Sequence, residues 1–212
     1  MAVSYDYIRQ PAEIYKRSFA IVREEAGLDR LPESADMEAV AIRLIHACGM
    51  VDVVEDLAFS NGAVAAGKAA LRNGAPVFCD VEMVRSGIIA SRMPADNELI
   101  CTLNDPAVPD HARDIGNTRS AAAVDFWQAV DGAVIAIGNA PTALFRLLEM
   151  IDRMELKPAL VIGLPVGFVG AAESKQALAE FGNDLNFITV HGRRGGSAMA
   201  SAVVNALAGG LD

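Results

Sequence analysis

The sequence predicts an α/β protein, a parallel sheet covered by helices on both faces with further helices ahead of it. Three observations carry this. Five short apolar segments rich in β-branched residues recur along the chain, helical patterns separate most of them, and 52% of the residues are apolar against 21% charged. Segments that are apolar throughout read as strands buried on both faces. Alternating such strands with crossover helices builds a parallel sheet, and crossover handedness leaves few topologies.

The strand segments are PVFC at 76–79, ELICTL at 98–103, AVIAIG at 133–138, ALVIGL at 159–164 and NFITV at 186–190. Helical patterns follow at 118–130, 141–154 and 171–181, with a last one at 197–207, while VEMVRSGI supplies a short helix between the first two strands. Ahead of the sheet, helices are expected near 11–26, 35–48 and 61–73, each stopping at a turn signal: Gly27, Gly49 and Asn73-Gly74. No repeat or linker divides the chain, so residues 1–212 are expected to form one domain. At this size roughly 70% of the open chain's surface is buried, enough for a core without disulfide or zinc staples.

A net charge of −9 argues against a nucleic-acid surface. Cys48, Cys79 and Cys101 form no C-x-x-C pair, which suits a reducing compartment. The longest charge-free run, PALVIGLPVGFVGAA at 158–172, is too short to span a bilayer and is broken by Pro165 and glycines. The expectation is a soluble, cytoplasmic protein with no membrane partner.

In doubly wound sheets ligands sit beyond the carboxyl ends of the strands, near the reversal of strand order. This singles out CDVEM, LNDP, GNAP, PVGFVG and HGRRGG. The last two can receive anions at helix N-termini, but neither has the spacing of a dinucleotide-binding or P-loop motif, and tight turns explain such glycines equally well. Ser174 and Ser197 lack a nucleophile-elbow frame. Three scattered histidines with no carboxylate at ligand spacing make a poor metal site. His111, in VPDHARD, reads as a loop residue and His191 as the end of the last strand.

VAIRLIHACGMVD at 40–52 sets a titratable ring inside an apolar helix. At about 100° per residue, Met37, Val40, Ala41, Leu44 and Cys48 share the core stripe, while His46 points away beside Ala39, Ile42 and Arg43. That second face suits a cleft wall or a subunit interface, with Arg43 one turn from His46 and able to hold an anion; a hydrogen-bonded surface histidine fits as well. In IGNTRSAAA, Arg119 falls in the first turn of a helix capped by Asn117 or Thr118, an unfavourable place for a cation. It either faces an anion together with nearby amides or swings into solvent.

Longer stretches go further. YDYIRQPAEIYKRSFAIVREEA, RLIHACG, GAPVFCDVEMV, NELICTLNDP, IGNTRSAAA, AIGNAPTALFRLLEM, GLPVGFVGAAESK and GRRGGSAM resemble the precorrin-8X methylmutases of cobalamin biosynthesis, over nearly the whole chain. The resemblance implies a three-layer, flavodoxin-like α/β/α fold with a five-stranded parallel sheet, and a homodimer whose tetrapyrrole pocket lies near the subunit interface. It implies an isomerase that moves a methyl group from C11 to C12 of the metal-free macrocycle precorrin-8X to give hydrogenobyrinate, without metal or cofactor. By the same resemblance His46 is the catalytic proton donor for a 1,5-sigmatropic shift, and Ser18, Arg43 and Arg119 contact substrate. The alternatives are a cobalt-precorrin-8 methylmutase of the anaerobic pathway, a non-catalytic tetrapyrrole-binding module, and an isomerase of a small phosphorylated metabolite.

Overall fold

The structure, a computed structural model, describes residues 3–31, 35–182 and 185–211. Helices α1 (Pro11–Glu25) and α2 (Ala35–Cys48) lead into a 3-10 turn at Val51–Asp56 and strand β1 (Leu57–Phe59). Then come α3 (Ala63–Arg72), β2 (Val77–Cys79), α4 (Glu82–Gly87), β3 (Leu99–Ile100), α5 (Val108–Asp114) and α6 (Arg119–Val124). The second half is β4 (Val134–Ile137), α7 (Pro141–Met154), β5 (Leu160–Gly163), α8 (Ala171–Glu180), β6 (Phe187–Val190) and α9 (Ser197–Gly209).

The sheet has six strands in the order β1-β6-β5-β4-β2-β3. Neighbours from β6 to β3 run parallel, and β1 joins the β6 edge antiparallel, with Leu57 opposite Val190. The expected five-stranded parallel sheet is therefore corrected to a mixed sheet of six. The extra strand spans only three half-buried residues, too few to show periodicity, and its partner lies far downstream.

Strand alternation divides the core in two. Val77, Val134, Ala136, Leu160 and Ile162 face one hydrophobic cluster; Phe78, Ile135, Ile137 and Val161 face the other. The first face is covered by α3, α4 and α9, with α2 packed on α9 and α1 on α2; α7 and α8 cover the second. Both faces are thus dry, which is why these strands carry no polar alternation.

Three local expectations change. VPDHARD forms α5 instead of a loop, with Pro109 in its first turn. The helix expected over 118–130 stops at Val124, just before Asp125, which is engaged by His111 and Arg146. Helix α2 is enclosed further round than its stripe implied, since Ala39, Ile42 and Arg43 are buried with the stripe while Cys48 is half-buried. Among the described residues no helix is long and apolar enough to cross a membrane.

Candidate active site

Strand order reverses between β2 and β4, where ligands of doubly wound proteins usually bind. Here the crevice is closed from within. Asp80, directly after β2 and 2% exposed, accepts N–H bonds from Gly138 at 2.9 Å, Asn139 at 2.9 Å and Ala140 at 2.8 Å. Those amides open α7 and would otherwise be an anion cradle. Burial pushes the Asp80 pKa up, and the three donors work against that shift. The space is tight as well: a Cβ on Gly138 would come within 2.8 Å of Ser197 Cα.

The loops beyond β5 and β6 are also tied together. Lys175 of α8, fully buried, donates to the Arg194 carbonyl at 2.6 Å, and burial lowers its pKa to about 8. Arg194 pairs with Asp52 and Asp56, and Arg193 lies over the Phe168 ring. Gly195 passes so close to the Leu164 and Pro165 carbonyls that a Cβ would collide with both. Beside them the tip of the 165–170 loop leaves Phe168 84% and Val169 88% exposed.

His46 occupies the last turn of α2. Gly49, with φ +70°, ends the helix there by donating its N–H to Ile45. Because residue 56 pairs with His191 just past β6, this end of α2 lies on the carboxyl side of the sheet. From α1, Tyr15 and Phe19 set their rings 5.4 Å from the imidazole, and Ser18 Oγ lies 2.7 Å from Nδ1. Nε2 has no partner among the described residues. A groove of about 380 Å³ opens here, lined by Ile14, Arg17, Ser18, Ile45, His46 and Val51 among others.

Sequence spacing places Ser18 and His46 on different elements, and the packing of α1 on α2 brings them into contact. Arg43 lies one turn before His46 but is 7% exposed; its Nε donates to the Gly210 carbonyl and its guanidinium sits 5.8 Å from the Phe19 ring centre. Arg119 is exposed at the start of α6, 3.3 Å from the Leu103 carbonyl, with Thr118 as the N-cap accepting from Ala121. It shares the carboxyl end of the sheet with His46 without touching it. His191 follows β6, as its strand-end position requires. His111 is bound to Asp125 at 2.7 Å, away from the groove. Asp80 escaped the sequence reading, although an acid directly after a buried strand was its visible sign. Among the described residues no three His, Cys, Asp or Glu side chains gather as a metal site.

A doubly wound sheet with a buried carboxylate at its strand reversal, flanked by a ring-caged imidazole whose Nε2 is open among the described residues, is an α/β arrangement that could transfer a proton to a ligand seated in the α1–α2 groove. The sequence profile of the precorrin-8X methylmutase family matches residues 13–209, and the chain belongs to that family. It is 58% identical over 204 residues to a precorrin-8X methylmutase of Pseudomonas aeruginosa, covering 96% of this chain and 97% of that one. It is 39% identical to a cobalt-precorrin-8 methylmutase of Priestia megaterium, over 93% of this chain and 87% of the other. A crystal structure of precorrin-8X methylmutase from Thermus thermophilus superposes with a TM-score of 0.82 at 39% identity, covering 92% of this chain and 94% of that one.

Proposed function

We propose that this methylmutase moves the methyl group from C11 to C12 of precorrin-8X to give hydrogenobyrinate. The observation that carries the chemistry is the His46 ring, with Nδ1 held by Ser18 and Nε2 left open beside a groove. As an imidazolium, His46 donates its Nδ1–H to Ser18 Oγ and presents Nε2–H to the macrocycle near ring C. Protonation there sets up the 1,5-sigmatropic methyl shift. With the second proton retained on Nδ1 by Ser18, the Nε2 lone pair then takes the first proton back. The ring system itself rearranges, so the protein's part is to hold the macrocycle and supply one proton where charge develops.

Ser18 also borders the substrate, and Arg43 and Arg119 pair with its peripheral carboxylates. The active form is a homodimer with this groove near the interface. Phe168 and Val169, adjacent and exposed at the tip of the 165–170 loop, supply apolar surface suited to a second copy. Three free cysteines fit a reducing cytoplasm. The metal-free substrate is favoured over the cobalt-bearing one by the higher identity to the relative named for precorrin-8X.

Purified protein supplied with precorrin-8X converts it to hydrogenobyrinate, followed by the visible spectrum. Preferred turnover of the cobalt-loaded macrocycle would transfer the assignment to the anaerobic reaction. Tight binding without turnover would make the protein a carrier.

A further inference from the structure

A second groove, of about 410 Å³, adjoins the aromatic pair that cages His46. Tyr15 and Phe19 are common walls: both contact the imidazole at 5.4 Å, and both line this groove together with Pro11, Ala12 and Leu211. Among the described residues its charged lining is wholly cationic, consisting of Lys16, Arg43 and Arg92. Arg43 is held against Gly210 and Phe19. Lys16 and Arg92 are exposed, and among the described residues neither lies within ion-pair distance of a carboxylate. In a chain of net charge −9, two unneutralised cations converging with a third on an apolar-walled groove are unexpected unless an anion uses them.

We infer that Lys16 and Arg92 form a carboxylate subsite that receives a peripheral acid arm of the macrocycle while its ring lies against Tyr15 and the His46 groove. The inference rests on the tetrapyrrole reading above and adds two residues to the binding machinery. Apolar walls exclude water from one side of the arm and strengthen the charge interaction there. The cations come from α1 and from the turn after α4, so an arm bound between them ties the ring to two separate elements. This fixes the ring's rotation relative to Nε2 as well as adding affinity.

The test compares wild type with Lys16→Met/Arg92→Gln, using hydrogenobyrinate as the binding probe and its methyl ester, with carboxylates neutralised, as the control. The double variant is expected to bind hydrogenobyrinate about tenfold more weakly, with a shallower dependence on salt. It should bind the ester as wild type does and raise KM for precorrin-8X by a larger factor than it lowers kcat. Both positions are exposed, so an unchanged circular dichroism spectrum and melting temperature are expected to accompany the loss. Equal affinity of wild type and variant for the free acid, or an equal loss for acid and ester, overturns the subsite and leaves the functional reading standing. Wild type that neither binds nor converts the macrocycle overturns the functional reading and the subsite with it.

Discussion

At the reversal of strand order a carboxylate is buried and fully used; on the α1–α2 flank an imidazole and two cations stand open among the described residues. Asp80 meets three backbone N–H groups, and Lys175 gives its ammonium to a backbone carbonyl nearby. Among the described residues His46 has one bonded nitrogen and one open, and neither Lys16 nor Arg92 meets a carboxylate. In a fold whose ligand crevice normally lies at the reversal, an internal carboxylate there fits the proposal above that the ligand uses the flank. Buried groups that satisfy one another hold the frame, and groups left unsatisfied at its edge are available for chemistry.

Removing the internal acceptor should have the largest effect. Asp80→Ala leaves three amides without their acceptor and should lower the unfolding free energy by about 3 kcal/mol, read by chemical denaturation. Asp80→Asn, which turns an amide donor toward backbone donors, should recover only part of that. An unchanged midpoint would mean that the crevice is not held by this carboxylate.

Lys175 sharpens the contrast through pH. Its ammonium pKa falls from 10.5 to about 8 on burial, so the unfolded chain keeps the proton to higher pH than the native protein does. The contribution of Lys175 to native stability should therefore climb as pH rises from about 8 toward 10.5, by up to about 3 kcal/mol, against the opposite contribution of Cys48, Cys79 and Cys101, whose thiols burial keeps protonated to higher pH. Lys175→Met should lack that rise. Parallel pH profiles for the two proteins would show that this lysine is charged alike in both states.

On the open flank the expected effects are on rate and binding instead of stability. Ser18→Ala frees Nδ1 and should lower kcat on the order of tenfold with little change in melting temperature; unchanged kcat would remove Ser18 from the positioning of His46. Arg119→Ala, at an exposed site, should weaken hydrogenobyrinate binding by about fivefold or less. No change there would return Arg119 to solvent.

Much of this frame was legible in the sequence, because strands buried on both faces and helices with clear stop signals leave strong patterns. Helices α1, α2 and α7 begin and end within a residue of their expected limits. What escaped depends on partners distant in sequence. β1 exists through pairing with β6, Asp80 through amides some sixty residues downstream, and the end of α6 through an Asp125 bound to Arg146. His46 stood out as an imidazole in an apolar helix, yet its contact with Ser18 follows from how α1 lies on α2, which no local pattern encodes. Nothing in the local sequence marks Lys16 or Arg92, and only their convergence on one groove gives them meaning.

In the mechanism proposed above, one proton donor at the open flank, His46, performs the chemistry. His46→Ala, assayed for both hydrogenobyrinate binding and precorrin-8X conversion, tests it most directly. A folded protein that still binds the macrocycle is expected, while the methyl shift, followed by the visible spectrum, stops. Conversion at the wild-type rate would contradict it.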